Sequence, residues 1–97
     1  METLKLSEQE IVNAICLHVA NKRQISPEEV GVELLWDEDY GFSSEVQVTG
    51  RTQMLIEANL IEAIRFWIEH TLERNPFSAG VRLELDDEEG IVAHIKL

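Results

Sequence analysis

The sequence aligns with itself, and this internal repeat constrains the fold more than any other feature. When the chain is shifted by 49 positions, residues 6–48 meet residues 55–97 without a gap, and 10 of the 43 aligned pairs are identical. A unit of about 49 residues is too small to hold a stable core alone, whereas 97 residues are enough for one domain. We therefore predict a single domain, residues 1–97, in which two copies of one small unit share a core.

Each half begins with a predicted helix. Residues 7–10, Ser-Glu-Gln-Glu, have the spacing of a capping box, in which the serine and the last glutamate each satisfy a free backbone amide. The first helix is expected to run from there to about Arg23, where basic side chains suit the negative end of the helix dipole. The second is expected from about Glu57 to Arg74, because apolar residues recur along it at helical spacing.

Alternating apolar and polar residues follow each helix and predict two hairpins, with acidic turns at 37–41 and 86–90. A further strand is expected at Thr52–Ile56 after a type II′ turn at Gly50-Arg51, although those residues could instead begin the second helix. The predicted fold is α+β: a two-layer sandwich from a tandem α-β-β duplication, with an antiparallel sheet covered by two helices on one face. The residues expected on the inner strand face are Val30, Val32, Leu34, Trp36, Phe42, Ser44, Val46, Val48, Val81, Leu83, Leu85, Ile91, Ala93, Ile95 and Leu97.

The charge of the chain excludes several classes of function. It has 19 acidic and 8 basic residues, for a formal net charge of −11. A nucleic-acid-binding protein needs clustered lysine and arginine, and an anionic membrane surface would repel this chain. No apolar run reaches the roughly 18 residues that span a bilayer, and the first residues lack the basic start of a secretory signal. We therefore expect a cytoplasmic protein that binds neither nucleic acid nor membrane.

The sequence does not indicate a metal or cofactor site. The turn at 37–41 contains the Asp-x-Asp that begins a calcium loop, but Val48 and Leu97 stand where such a loop needs a glutamate. Solvated turns are the better interpretation. The three histidines form no HxH or HxxxH pair, and the five glycines form no phosphate-binding pattern. No metal and no cofactor are expected.

Two residues of the first helix have both a structural and a reactive interpretation. His18 lies on the core-facing arc, where a packed histidine hydrogen-bonded to a neighbour is expected. Cys16 is expected to be a small buried hydrophobe, because His18 points about 200° away around the helix and cannot activate the thiol. No catalytic residue is predicted.

The outward sheet face offers one candidate ligand site. His94 aligns with Glu45, and both are expected on the face away from the helices, together with Arg82. Symmetric pairing of the strands would bring His94 and Glu45 together as a histidine–carboxylate pair. A pocket in which Glu45, Arg82 and His94 converge would favour a small ligand-binding protein or an enzyme.

Two pairs of out-of-place hydrophobic residues indicate self-association. Phe66 falls on the polar side of the second helix, and its repeat partner Leu17 falls at the same angle on the first. Leu35 and Val92 fall on the outward face of the sheet. One exposed hydrophobe is ordinary, but the same outlier in both halves is less easily dismissed. We predict that one of these surfaces, preferably the helix layer, is a homodimer interface; scattered surface hydrophobes are the alternative.

Several motifs of the chain are similar to those of the YxcD-type family of small Bacillus-group proteins. They are Ser-Glu-Gln-Glu-Ile-Val-Asn-Ala-Ile at 7–15, Asp-Tyr-Gly-Phe at 39–42, Gly50-Arg51 and Ile-Glu-Ala-Ile at 61–64. The resemblance covers nearly the whole chain. It implies a bacterial cytosolic protein of a family classed as a domain of unknown function, and it carries over no catalytic or binding residues.

The preferred prediction is thus a non-catalytic cytosolic module that forms a homodimer and binds another protein or a small molecule. The alternative is a small ligand-binding protein or enzyme that uses the outer sheet face around Glu45, Arg82 and His94. A flat apolar patch through Leu17 and Phe66 would favour the first prediction.

Overall fold

The computed structural model describes residues 2–97; Met1, the first residue of the predicted domain, lies outside them. The elements follow in the order β1 (Thr3–Leu6), α1 (Glu8–Arg23), β2 (Val30–Asp37), β3 (Gly41–Val48), β4 (Arg51–Ile56), α2 (Glu57–Thr71), β5 (Gly80–Asp86) and β6 (Gly90–Lys96). One 3-10 turn, Pro27–Glu29, precedes β2. Residues 49 positions apart therefore lie in corresponding elements: β1 with β4, α1 with α2, β2 with β5 and β3 with β6.

Helix α1 begins and ends where local signals place it. The Glu10 amide donates to the Ser7 hydroxyl over 3.2 Å, and the Ser7 amide donates to the Glu10 carboxylate over 3.0 Å, which confirms the capping box. The helix ends at Arg23, as predicted. Gln24, next in the chain, has a φ of 55°, in the left-handed region that commonly terminates helices.

Helix α2 is shorter than predicted because its backbone turns before Arg74. It ends at Thr71, and Glu73 has a φ of 54°. The Arg74 amide then donates back to the Ile68 carbonyl over 3.3 Å, which satisfies one of the carbonyls left free at a helix end. The residues from Glu73 to Arg74 therefore form the cap of the helix and not its last turn.

The strands form two antiparallel three-stranded sheets. The internal sheet has the order β2-β3-β4, and the terminal sheet has the order β1-β6-β5. The α+β class with antiparallel strands is thus confirmed, and the strands are divided between two sheets. Arg51–Ile56 is a strand, which settles the open choice between strand and helix at this segment.

The turn between β3 and β4 lies one residue earlier than predicted. Val48 pairs with Arg51, so the two central residues are Thr49 and Gly50. Both have positive φ, 48° and 75°, as a type I′ turn requires, whereas the type II′ turn predicted at Gly50-Arg51 needs only one. The register of β4 on β3 follows from this turn.

Strand β1 is the element that sequence reasoning missed. It is only four residues long and pairs with β6 at the opposite end of the chain, from Thr3 opposite Lys96 to Leu6 opposite Ala93. The Leu97 amide also donates to the Glu2 carbonyl over 2.8 Å. Extending the 49-residue alignment backwards from the strand predicted at Thr52–Ile56 would have found it.

Both helices and both sheets contribute to one hydrophobic cluster. The residues that are at most 2% exposed include Leu6 of β1, Ile15 of α1, Ile64 of α2 and Ile95 of β6. Most of the predicted inner face is buried or half-buried. Trp36 and its repeat partner Leu85 are exceptions at 44% and 45% exposed, since they lie near the ends of β2 and β5; the Trp36 ring lies 4.7 Å from that of Phe42.

Candidate functional site

The structure brings the two out-of-place helix residues, Leu17 and Phe66, together. Both line a groove of about 410 Å³ between α1 and α2, which we call the helix groove. Leu17 is 38% exposed there, and the half-buried Phe66 ring lies between the rings of His18 and His70, at centroid distances of 5.1 and 4.2 Å. The complete lining is Leu17, Ala20, Asn21, Ile25, Pro27, Phe66, His70 and Thr71.

The helix groove is also free of formal charge. None of its eight lining residues is Asp, Glu, Lys or Arg, although the chain has 27 such residues, 19 acidic and 8 basic. An uncharged, largely apolar concavity on so acidic a chain can be buried against another molecule without removing a formal charge from water.

A second cavity is smaller and more polar than the helix groove. It has a volume of about 240 Å³ and is lined in part by His18, Lys22 and Glu62. His18 is 9% exposed, its Nε2 lies 3.0 Å from the Glu62 carboxylate, and Lys22 donates to the same oxygen over 2.9 Å. The interpretation of His18 as a packed, hydrogen-bonded histidine is confirmed.

The charges around Glu62 are consistent with a structural contact. Hydrogen bonds from Lys22 and then from His18 hold the pKa of the Glu62 carboxyl below its usual range. The buried His18 Nδ1 has no hydrogen-bond partner among the described residues. A carboxylate whose ionised form is favoured by hydrogen bonds from Lys22 and His18 links α1 to α2 and is poorly suited to accept a proton in a reaction at neutral pH.

Cys16 is half-buried, and no activating side chain lies within hydrogen-bonding distance of it among residues 2–97. Its Sγ lies 3.6 Å from the Val30 carbonyl oxygen, to which the thiol donates. Burial raises the pKa of the Cys16 thiol. A raised pKa reduces the thiolate population, which is the opposite of what a nucleophile requires.

The outer face of the terminal sheet carries a row of basic residues. His94 on the middle strand lies opposite Lys5 on one side and Arg82 on the other. The Glu84 carboxylate lies 2.9 Å from His94 Nε2 and accepts from Arg82 over 3.4 Å, and Lys5 forms an ion pair with Glu89. Lys96 lies on the same face, beside Arg82 and His94, in a shallow concavity of about 460 Å³.

The corresponding face of the internal sheet is acidic. Glu45 on its middle strand lies opposite Glu33 on one side and Met54 on the other. The two glutamates line a separate concavity of about 260 Å³, and Gln47 donates to Glu45 over 2.9 Å.

The predicted convergence of three ligand candidates is therefore wrong. Arg82 and His94 are direct cross-strand neighbours, but Glu45 belongs to the other sheet, and the histidine's carboxylate partner is Glu84. The prediction failed because it required Glu45 and His94 to share one sheet. Lys5, Glu84 and Lys96 were missed, although the alternation of side chains along β5 and β6 would have indicated the last two.

The two sheet residues proposed for an interface differ in exposure. Leu35 is half-buried on the edge strand β2, whereas Val92 is 1% exposed. The expectation that Val92 is exposed is wrong: it lies on the middle strand β6, opposite Glu84 of β5 and next to Ala93, the last residue of β6 that pairs with β1. This leaves Leu17 and Phe66 as the candidate pair that the structure brings together.

The acidic turns use their first carboxylate to hold their own backbone. Asp37 accepts from the amides of Asp39 and Tyr40, at 2.7 and 3.1 Å, and Asp86 accepts from those of Glu88 and Glu89, at 2.8 and 2.9 Å. The amides of Glu89 and Glu88, in that order, lower the pKa of the Asp86 carboxyl. This turn chemistry explains why both halves keep an aspartate at this position.

Two negative findings apply to residues 2–97. That part of the chain contains no group of three or more histidine, cysteine, aspartate or glutamate side chains placed to hold a metal ion. Within it, neither helix is long and apolar enough to cross a bilayer.

Comparison with known proteins bears out the resemblance found in the sequence. A family described as a protein of unknown function (DUF2653) matches residues 1–88. The uncharacterized protein YxcD of Bacillus subtilis (strain 168) is 34% identical over 91 residues, which make up 93% of this chain and 89% of that protein. No solved structure matches.

Proposed function

We propose, from the premise that this chain belongs to the DUF2653 family of proteins of unknown function, that it is a non-catalytic bacterial cytosolic module that self-associates through the helix groove. The observation that carries the proposal is the meeting of Leu17 and Phe66 in one uncharged concavity. The occupant is a second copy of the chain.

Electrostatics favours the helix groove over other surfaces for contact between identical chains. Two copies that each carry a net charge of −11 repel one another. In physiological salt the repulsion is screened beyond about 8 Å, so it is least where no carboxylate lies in the contact itself. Removal of the exposed part of Leu17 from water then supplies a favourable term of roughly 25 cal/mol for each Å² buried.

The residues of the groove also suit a symmetric contact. Leu17 corresponds to Phe66 and Asn21 to His70 under the 49-residue shift, and all four line the groove. A twofold dimer buries the same patch on both subunits, so that patch must fit a copy of itself turned by 180°. A patch built from equivalent positions on two neighbouring helices meets this requirement in outline.

The properties of the reactive residues support the non-catalytic part of the proposal. The pKa of Cys16 is raised by burial, and His18 is engaged by Glu62. The alternative of a ligand site around Glu45, Arg82 and His94 loses its main support, because Glu45 lies in the other sheet.

Sedimentation equilibrium tests the proposal. The wild-type protein is expected to have twice the chain mass of 11.1 kDa at micromolar concentration. The double variant Leu17→Glu/Thr71→Glu places two carboxylates in the groove and is expected to sediment at the mass of one chain. Both positions are exposed, so the fold is preserved, as circular dichroism will verify.

Phe77→Glu is the matched control, since Phe77 is an exposed hydrophobe outside the groove at 87% exposure. It is expected to leave the mass at two chains. A wild-type mass of one chain throughout the micromolar range would refute the proposal, as would a groove variant that still dimerises.

A further inference from the structure

The outer faces of the two sheets carry opposite charge at corresponding positions. Under the 49-residue shift, Glu33 corresponds to Arg82, Glu45 to His94, and Gln47 to Lys96. The registers correspond as well, because Glu33 lies opposite Glu45 and Arg82 lies opposite His94. At these three positions the internal sheet has acidic or neutral side chains and the terminal sheet has basic ones; at a fourth position, Leu35 of the internal sheet corresponds to Glu84 of the terminal sheet.

The internal sheet places two carboxylates, Glu33 and Glu45, directly opposite one another, and the terminal sheet places the cationic Lys5 and Arg82 on either side of His94. Directly opposed side chains on antiparallel strands lie close together, and like charges there are destabilising. The terminal sheet relieves part of this cost through Glu84 and Glu89. Among the described residues, Glu33 and Glu45 form no salt bridge, although Gln47 donates to Glu45. An unrelieved acidic pair and a corresponding basic pair on one chain favour contact between copies.

We infer that the outer face of the internal sheet docks on the outer face of the terminal sheet of a second copy. In this contact the carboxylates of Glu33 and Glu45 face the cationic groups of Arg82 and Lys96, with His94 between those two on the sheet. Each copy carries both faces. A contact between unlike faces is complementary in charge, whereas a contact between two identical faces would be repulsive. The inference rests on the proposed self-association and adds to it a second surface, distinct from the helix groove.

The size of the faces sets the strength of the contact. With strands about 4.8 Å apart and about 3.4 Å per residue, a three-stranded face six residues long offers roughly 300 Å². One contact therefore buries about 600 Å² in total, less than the roughly 1,200 Å² of a stable specific interface. The contact is weak, steered by charge and weakened by salt. Added salt is expected to strengthen the contact through the helix groove, because salt screens the charge repulsion that opposes that contact.

The test uses two charge-reversed variants in the Leu17→Glu/Thr71→Glu background, where the groove contact is removed. In Glu33→Lys/Glu45→Lys both faces are basic, and in Arg82→Glu/Lys96→Glu both are acidic. The background protein at about 100 µM and low salt is expected to associate weakly, with a dissociation constant that rises at least about tenfold as salt is added. Each variant alone is expected to remain a single chain.

Mixing the two variants decides the question. Sedimentation velocity and titration calorimetry of the mixture are expected to show binding at least as tight as in the background protein, again lost at high salt. Glu33→Gln/Glu45→Gln, which removes charge without reversing it, is expected to weaken background association. A mixture that binds no more tightly than either variant alone would overturn the inference. Failure of the proposed groove contact has a different signature, namely a wild-type protein that stays a single chain at high salt.

Discussion

At the scale of the residue, Thr49 has a backbone conformation that its type of side chain disfavours. Its φ of 48° lies in the left-handed region, which a β-branched residue rarely adopts, and it forms a turn with Gly50 at a φ of 75°. Asn-Gly is the preferred sequence for a turn in which both central residues have positive φ. The chain therefore has the preferred glycine at the second central position of the turn, but a threonine in place of asparagine at the first.

Replacement of Thr49 by asparagine is expected to stabilise the protein. Asparagine tolerates the left-handed region, so Thr49→Asn should raise the free energy of unfolding by about 0.5–1 kcal/mol, measured by urea denaturation. Thr52→Asn is the control, since Thr52 is exposed within strand β4 and asparagine is a poor strand residue, so no gain is expected. An unchanged or lowered urea midpoint for Thr49→Asn would contradict the prediction.

Two residues show which structural properties a local sequence pattern can predict and which it cannot. Alternation along β3 correctly predicts that Ser44 points inward; it is fully buried, and its hydroxyl donates to the Glu33 carbonyl over 3.1 Å. The same alternation places Val92 on the outward face but gives no measure of its burial, which depends on both neighbouring strands. The face of the sheet on which a side chain lies follows from its position along the strand, whereas its burial depends on the order of the strands in the sheet.

At the scale of the element, Glu62 is the side chain that joins the two helices through charge. Lys22 and His18 of α1 hold the pKa of this α2 carboxyl below its ordinary value of 4.5. A carboxyl with a lower pKa in the folded chain contributes stability above its unfolded pKa, and the contribution is lost as pH falls through the folded pKa. The link between the helices is therefore present at neutral pH and absent in strong acid.

Glu62→Gln is expected to lower the free energy of unfolding at pH 7, by less than about 1 kcal/mol because the pair is largely exposed. The wild-type and variant unfolding curves should converge as pH falls through the lowered pKa of the Glu62 carboxyl, since the wild-type carboxyl then becomes protonated as well. Glu69→Gln makes the same charge change on α2, where the nearest ion-pair partner is the adjacent His70, and should not show this dependence. A Glu62→Gln difference that stays constant from neutral pH to strong acid would argue against the link.

Elements differ in how well the sequence predicts them. Helix α1 and the hairpins have signals within a few residues, namely a capping box, alternation and aspartate-held turns, and they lie where those signals place them. The pairing of β1 with β6 joins residues from 87 positions apart, Leu6 and Ala93, to 93 positions apart, Thr3 and Lys96, and leaves no local trace. The basic row was missed for the same reason, because Lys5 becomes a neighbour of His94 only through that pairing. Leu17 and Phe66 could be found because helical angle alone places them.

At the scale of the whole molecule, the two ends of the chain meet in one sheet. Leu97 donates to the Glu2 carbonyl, and β1 and β6 are neighbours in the same way as β4 and β3. The turn at Thr49-Gly50 is an exposed connection between strands. Opening the chain there and closing it at the ends would therefore keep every strand pair.

A circular permutant that starts at Gly50, joins Leu97 to Glu2 through Asn-Gly and ends at Thr49 is expected to fold. Its melting temperature, followed by circular dichroism, should lie within about 10 °C of the wild type, because the core and both sheets are retained. A permutant opened between Val46 and Gln47 is the control and should be strongly destabilised, since it cuts the middle strand of the internal sheet. Failure of the first permutant to fold cooperatively would show that the closure is not equivalent to the natural turn.

The meeting of the chain ends also determines the order in which the protein can fold as it leaves the ribosome. Strands β2, β3 and β4 follow one another directly, so the internal sheet can assemble early in synthesis. Strand β1 is translated before the internal sheet, but its partner β6 is translated after it, and long-range pairings of this kind form slowly. Every nascent chain therefore carries an unpaired β1 until β6 has been translated, and a message that stops short of β6 yields a product in which that strand stays exposed.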